Sequence, residues 1–459
     1  MRKKSMEEKA EKISSEGINK SISLFEDEYH VFHSDILKRY IFKVPSKTML
    51  ELQDKWYIGD LQMQTEVTLP TYIHARTYQK TFHMDLEKEK VYYLRFRIIG
   101  VPFHLQLNGV PIVFEDGTQL DYEVFVNPFL KNGENTILIQ FDEGYEGVLF
   151  GVKILQRPKN HMLEYKIVKW EDKEKITMEI EPMYVGDFVP SWCSLLTETG
   201  KNIKKVKVTK KGKIMLDVPR KKIEIWNDET HRFYYLVFIM AEEVIAQKIV
   251  IQQEGFEENR YVVAGKPIDL RLIHFEKAID KKTYVLRDEL IKHMSLWKKR
   301  NFNAIYVEES KDMPELQKIC LEFGFYYIKG TQDFSMQEEE LLITSDGIQK
   351  EMPDVYLPLR AWEVEKSSGM IVIKNEMKFQ NMKECYYVRI ATYQNGKQVG
   401  QNIKYILDFE AGVEEQFRPA WTFKLEGDMV VKIECYQLYK TELVEKRYHY
   451  GTYEVEIHK

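Results

Sequence analysis

The sequence predicts a mostly β, multidomain fold in which a short parallel α/β segment interrupts a series of β-sandwiches. Three observations predict it. The chain has 459 residues, enough at about 150 residues per domain for roughly three separate cores. Aromatic residues make up 13%, a share that leans toward β structure. The hydrophobic period is two along most of the chain, becomes helical after residue 268, and returns to two after residue 352.

Taken in order, MRKKSMEEKAEKISSEGINKS mixes Lys with Glu and lacks an apolar run, so residues 1–22 read as a charged, solvated tail and not as a secretory signal. Residues 23–156 read as a first sandwich. VYYLRFRIIG, FHLQLNGVPIVF, YEVFV and TILIQF alternate in short runs, and turn residues fall between them at regular spacing. Asn108-Gly109 offers the positive φ angles of a type I′ hairpin, and Lys131 to Asn135 closes the next loop.

Residues 157–254 read as a second sandwich, built from YKIVKW, KITMEIE, FYYLVFIM and EVIAQKIVIQ. KNIKKVKVTKKGK alternates Lys with Val and Ile and reads as a half-exposed edge strand rather than a ligand patch. Trp192, beside Cys193, reads as a core aromatic rather than a sugar-stacking platform.

The period then changes. IDLRLIHF reads as a strand, and Leu286, Leu290, Ile291, Met294 and Trp297 share one helical face. FNAIYV follows as a buried strand. Asp312 suits an N-cap, Pro314 a first turn, Leu316, Ile319, Cys320 and Phe323 an apolar stripe, and Gly324 a helix end before FYYIK. Strands joined by helices of crossover length are parallel, which leaves such a three-stranded set with two open edges unless neighbours cover them. The acidic stretch after Gly330 holds at most one short strand, LLIT, and ends this segment, residues 255–350. Residues 351–459 return to alternation in GMIVIKN, YYVRIATY, KYILDFE, WTFKLEG and MVVKIECYQLY, a third sandwich.

Charge narrows the function. The 67 basic and 72 acidic residues are interspersed and sum to −5, so nucleic acid is not an expected partner. No apolar run reaches about 18 residues, so no membrane is expected, and Cys193, Cys320, Cys385 and Cys435 lie far apart in apolar surroundings, as buried thiols of a cytoplasmic protein would. His274 with Glu276, and His293, lack the further ligands that a metal or catalytic site needs and read as packed or surface residues. Phosphate loop, nucleophile elbow and HExxH are all missing, so neither metal nor cofactor is expected.

The order of these pieces resembles glycoside hydrolase family 2, the family of the large β-galactosidases, over most of the chain. FHLQLNGVPIVFEDGTQLDYEVFVNPFLKNGENTILIQF is similar to the family's jelly-roll sugar-binding domain, and Trp226-Asn227-Asp228 with Phe233-Tyr234 is similar to the closing strand of its immunoglobulin-like domain. Gly255-Phe256, Ala264 to Pro267 and Leu270-Arg271 resemble the opening of the family's catalytic barrel. Asn301 to Ile305 resembles the barrel's "NFNAVR" strand, and Cys320 to Gly324 its "CDE-x-G". LLITSDG resembles the barrel exit, and Ile373 to Phe379 with the Asn395-Gly396-Lys397 turn the sandwich that follows.

The departures from the family carry the functional expectation. A closed barrel needs eight strand-helix units, about 250 residues, and only three are present, so the resemblance implies a truncated (β/α) barrel remnant. The missing part is where the family carries the acid and the nucleophile of retaining glycosidases, carboxylates about 5 Å apart. Asn375-Glu376 mimics the family's "N-E" dipeptide but falls in the last sandwich, where a surface glutamate is expected. His274, Phe275, Glu276, Tyr306, Glu309 and Lys329-Gly330 stand where the family has sugar-polarising groups. The expected catalytic set is therefore empty, and the chain reads as a non-catalytic carbohydrate-binding, scaffolding or regulatory protein. The alternative is a β-galactosidase- or β-glucuronidase-type enzyme active only with a partner subunit, or through relocated carboxylates. Asp142, Glu143 and Tyr145, in the shortened jelly-roll loop, are the candidate carbohydrate contacts. Carbohydrate, a second copy of the chain or a full-length glycosidase are the expected partners.

Overall fold

The computed structural model describes residues 18–19, 47–58, 65–99, 102–115, 121–141, 147–172, 174–257, 259–278, 287–308, 314–330, 340–344, 346, 349–351, 353, 356–364, 370–400, 402–418 and 429–457. The chain is mostly β and multidomain, and it divides into two compact units. One spans residues 1–224 and 233–249, the other 225–232 and 250–459.

In the first unit, two six-stranded sheets face each other. One runs Ile18–Asn19, Asp121–Phe125, Lys90–Ile99, Val148–Pro158, Lys47–Glu51, with Thr71–Tyr72 also paired to Val148–Pro158. The Ile18–Asn19 pair belongs to the stretch expected as a tail. The other sheet runs Thr65–Val67, Trp56–Ile58, Thr77–Met84, Gly133–Phe141, Phe103–Leu107, Val110–Glu115. Period two does the sorting: Gly133–Phe141 turns Asn135, Ile137, Ile139 and Phe141 inward and leaves Thr136, Leu138 and Gln140 half-buried on the other face. Trp56, Tyr78, Phe96 and Phe103 are fully buried between the sheets, each contributing about 1.5–3 kcal/mol or more by leaving water.

The expected turns are tied together by amides. Asn108 (φ 53°) and Gly109 (φ 77°) take the left-handed conformations of the hairpin. The Asn108 amide donates to Phe129 O and to Asn135 Oδ1, both at 2.8 Å, and its oxygen accepts from Thr136 N at 3.0 Å. Asn135 in turn caps the Lys131–Gly133 loop through Lys131 N and O, 2.8 Å each.

A three-stranded sheet, His161–Asp172, Lys175–Val185 and Ile214–Pro219, and a four-stranded one, Asn202–Val208, Ser191–Thr197, Tyr234–Ile239 and Val244–Ile249, complete this unit. Tyr165 and Phe238 meet across them, ring centroids 4.8 Å apart. Arg157 is buried where the two pairs of sheets join. Its Nε donates to Glu243 Oε1 at 2.7 Å, its Nη2 to Met162 O at 2.5 Å, and Glu123 lies 3.8 Å away. His161 packs beside Tyr93, 3.0 Å from its hydroxyl, and burial with the Arg157 charge lowers its pKa to about 4, so it stays neutral.

One expectation fails here. Trp192 is not in the core: its ring is 40% exposed. The strand Ser191–Thr197 turns Cys193 and Leu195 inward, so alternation places Trp192 on the outer face. The lysine-rich strand Asn202–Val208 does lie at the sheet edge, as expected.

In the second unit, a small antiparallel sheet, Glu254–Glu257, Arg260–Val263 and Lys266–Ile268, precedes a five-stranded mixed sheet. Three of its strands are parallel, Leu270–His274, Ala304–Val307 and Tyr326–Lys329. Helices Arg287–Lys299 and Pro314–Phe323 pack on it through Leu290, Met294, Trp297, Leu316, Ile319, Cys320 and Phe323. Gly324 ends the second helix at φ +73°, as expected; Leu286 and Asp312 lie outside the described residues.

The LLIT segment departs from the expectation. Glu340–Ile343 pairs with Leu270–His274 in antiparallel register, Leu270 opposite Ile343 and Ile273 opposite Glu340, and Gln349–Lys350 pairs beyond it. The parallel set therefore has one covered edge rather than two open ones. A returning chain can reach that edge through a short connection only by running antiparallel.

The C-terminal part of this unit stacks a three-stranded sheet, Leu359–Glu363, Ile371–Asn375 and Glu414–Phe417, on a five-stranded one. The latter holds Tyr386–Gln394, Lys397–Gln398, Ile403–Tyr405, Met429–Gln437 and His449–Ile457. Leu443 and Val444 from this part join the core under the helices, and Lys299 pairs with Glu445 at 2.9 Å. Glu376 is not the surface residue expected: its side chain is 9% exposed, 3.4 Å from Arg360 and 3.5 Å from Lys374.

Candidate functional site

Asp142, Glu143 and Tyr145, the expected carbohydrate contacts, lie outside the described residues, as do Glu309 and the side chain of Glu276. The strand that follows them is ordinary core, with Val148 and Leu149 fully buried. Polar chemistry concentrates instead at the two ends of the parallel strands in the second unit.

At the C-terminal ends, His274 is buried and packs edge-on against Tyr306, ring centroids 5.3 Å apart, with Nε2 3.9 Å from Glu308 Oε1. Phe275 follows at once into the helical turn Phe275–Ala278 and joins the helix-side core. The pair couples one carboxylate to an imidazole, whereas retaining hydrolysis couples two carboxylates about 5 Å apart. His293 rests against Trp297 at 6.0 Å. Among the described residues no group of His, Cys, Asp and Glu is arranged to hold a metal ion.

The N-terminal ends carry a larger network. Asp228 enters from the loop 225–232, whose anchor is Trp226, fully buried with Nε1 donating to Leu321 O at 2.9 Å. The Asp228 carboxylate accepts from Tyr326 Oη and Asn303 Nδ2, both at 2.8 Å, with Arg271 at 3.8 Å. Asn303 also accepts from Arg271 N at 2.8 Å and donates to Asp269 O at 3.0 Å, so one amide joins two strands and the loop. Arg271 Nε donates to Asn301 O, and its guanidinium lies 4.5 Å over the Tyr356 ring. Tyr356 Oη donates to Asp269 Oδ2 at 2.9 Å.

Burial perturbs the remaining members. Lys298 Nζ donates to Gly324 O at 2.8 Å and sits 4.8 Å over the Phe325 ring, and burial lowers its pKa to about 8. Burial pushes Glu254 up to about 7, although Gln252 donates to it at 2.8 Å. Glu229 accepts from the backbone N–H groups of Lys378, Phe379 and Gln380 at 2.7, 2.8 and 2.9 Å. Burial and the neighbouring Asp228 nevertheless raise its carboxyl, to about 7.

Perturbed groups often mark catalysis, but here Trp226, Tyr261 and Tyr326 are buried beside the network, and its hydrogen bonds pair side chains with one another or with backbone. The N-terminal ends of parallel strands are where stability, not chemistry, is usually built. The arrangement acts as a lock on the loop 225–232. Sequence reading singled out Trp226, Asp228 and Asn303 for resemblance alone. Nothing local shows that residues 75 apart share one hydrogen bond.

Comparison with known proteins places these features. Residues 29–162 match the glycosyl hydrolase 2 galactose-binding domain-like family. The β-galactosidase of Staphylococcus xylosus is 21% identical over 266 residues, which cover 54% of this chain and 26% of that protein. The Lactococcus lactis β-galactosidase is 22% identical over 331 residues, 64% of this chain and 33% of the enzyme. The aligned region thus spans only about a quarter to a third of these relatives. Among solved structures, an uncultured Clostridium β-glucuronidase superposes with TM-score 0.52 at 16% identity, over 63% of this chain and 60% of that one. The Dictyoglomus thermophilum β-D-glucuronidase gives 0.50 at 16%, over 64% and 61%. At such identities the structural likeness speaks for the fold. The domain match and the aligned β-galactosidases support a relationship of this chain to glycoside hydrolase family 2, whose fold the superposed β-glucuronidases share.

Proposed function

We propose that the chain is a non-catalytic relative of this family, cytoplasmic, which binds carbohydrate in a scaffolding or regulatory role. In this reading residues 23–156 are a jelly roll, 157–254 an immunoglobulin-like sandwich, 255–350 a truncated barrel remnant and 351–459 a closing sandwich, with Asp142, Glu143 and Tyr145 as ligand contacts.

The observation that carries it is the pairing of Leu270–His274: parallel on one side, antiparallel to Glu340–Ile343 on the other. A (β/α)8 barrel places a parallel strand on both sides of every strand and assembles its active site from the loops at their C-terminal ends. A first strand whose second edge is already taken by an antiparallel neighbour leaves no place for that ring of loops. The His274–Glu308 arrangement at the strand ends supports the same conclusion.

The test is hydrolysis of aryl β-galactosides, β-glucuronides and β-mannosides by the extensively purified chain, at enough protein to register a very slow rate. No turnover above the buffer is expected. Turnover that follows the protein peak, and that survives when the peak is further fractionated, overturns the proposal.

A further inference from the structure

Between Glu198 and Asp217 the sequence holds seven lysines and no acidic residue, in a chain whose net charge is −5. The structure lays much of this stretch along the edge strand Asn202–Val208. Lys213 is neutralised by Glu179, and Asp217 is held by Lys175 and Thr177. Lys205 and Lys207 are different. Both are exposed, and among the described residues neither pairs with a carboxylate. What they approach is Trp192 on the adjacent strand, with Nζ 4.4 and 5.9 Å from the ring centroid. The register sets Lys207 directly opposite Trp192 and Lys205 opposite Ser194, so ring and ammonium groups share the outer face.

Edge lysines discourage strand-to-strand aggregation, which accounts for a Lys-rich edge but not for its neighbour. A tryptophan 40% exposed beside that edge works against the same protection. A ring flanked by two unneutralised cations is instead matched to a ligand with an apolar face and regularly placed negative charge.

We propose that this surface, Trp192 with Lys205 and Lys207, binds a carboxylated polysaccharide. The ring lies against the C–H face of one sugar, and the ammonium groups meet carboxylates of the same chain. The proposal deepens the carbohydrate-binding reading and rests on it. One exposed ring favours this occupant over single-stranded nucleic acid, whose binding surfaces set several stacking rings along a basic groove.

The experiment is affinity electrophoresis of the full chain through gels containing polygalacturonate or neutral galactan at near-physiological salt, with oligothymidylate as a competitor. Retardation by polygalacturonate is expected, weakened about tenfold in Trp192→Ala, largely restored in Trp192→Tyr, and abolished in the Lys205→Glu, Lys207→Glu double variant. All three positions face solvent, so circular dichroism should show the variants folded. Loss with the lysines but full retention in Trp192→Ala reduces the effect to bulk charge attraction and overturns the site. Competition by oligothymidylate at equal charge overturns the choice of ligand. Retardation by galactan alone overturns this site while leaving carbohydrate binding intact, and retardation by neither overturns both.

Discussion

Replacing Glu229 by Gln should change how stability depends on pH more than it changes stability at any one pH. The carboxylate accepts three backbone N–H groups yet has its pKa at about 7 against the ordinary 4.5, because burial and Asp228 oppose its charge. At about 1.4 kcal/mol per tenfold, keeping it ionised in the folded chain costs at most about 3–4 kcal/mol. The sign follows from proton uptake. With a folded pKa above the unfolded one, the folded chain holds more protons between the two values, so the group's contribution becomes less favourable as pH rises through about 4.5 to 7. The amide introduced by Glu229→Gln cannot titrate. The urea midpoint of the variant, relative to wild type, should therefore rise with pH over this window and level off above it. Glu254 also titrates with a shifted value, but it is present in both chains and cancels in the difference. Exchange rates of the Lys378, Phe379 and Gln380 amides give a local readout of the same contact. A constant offset between the urea midpoints of the two chains from pH 4.5 to 8 would refute the argument, since it would mean that Glu229 is ionised without penalty.

Other outcomes are equally specific. Glu243→Ala strands the buried Arg157 charge and should cost about 3–5 kcal/mol in thermal or urea unfolding, whereas replacing both residues with apolar ones of similar volume should cost much less. Gly324→Ala forces a left-handed φ on alanine and puts its Cβ 2.7 Å from Asp228 O, so the melting temperature should fall. Trp226→Ala removes a fully buried indole and its bond to Leu321, for a loss of about 3–5 kcal/mol. Cys193, Cys320, Cys385 and Cys435 are free thiols whose pKa burial raises, to about 12 at Cys193 and Cys385; a disulfide reagent at neutral pH should label the buried Cys193, Cys320 and Cys435 only as fast as the chain opens, and the half-buried Cys385 first.

Much of the fold was legible because it follows from period and turn chemistry. Asn108-Gly109 announces its hairpin, and the switch from period two to a helical stripe between Leu290 and Phe323 marks the parallel strands. Strand direction at LLIT was not legible, since three apolar residues pair equally well either way and only the length of the return decides. Alternation alone could not tell which face of Ser191–Thr197 is inward, and choosing the wrong one buried Trp192. The Asp228 network was invisible for a different reason: its members come from a loop and from strand ends far apart in sequence, and no local pattern brings them together.

The antiparallel neighbour of Leu270–His274 also fixes how this sheet can be enlarged. With Glu340–Ile343 in place, a new strand beside Leu270–His274 would require strand exchange, which breaks existing ladder bonds before new ones form. On the other side Tyr326–Lys329 adds no further strand among the described residues. A protein that extends the parallel strands in trans therefore docks along Tyr326–Lys329. Two copies doing so about a two-fold axis would form one continuous antiparallel junction, a dimer closed by symmetry and incapable of polymerising through that edge.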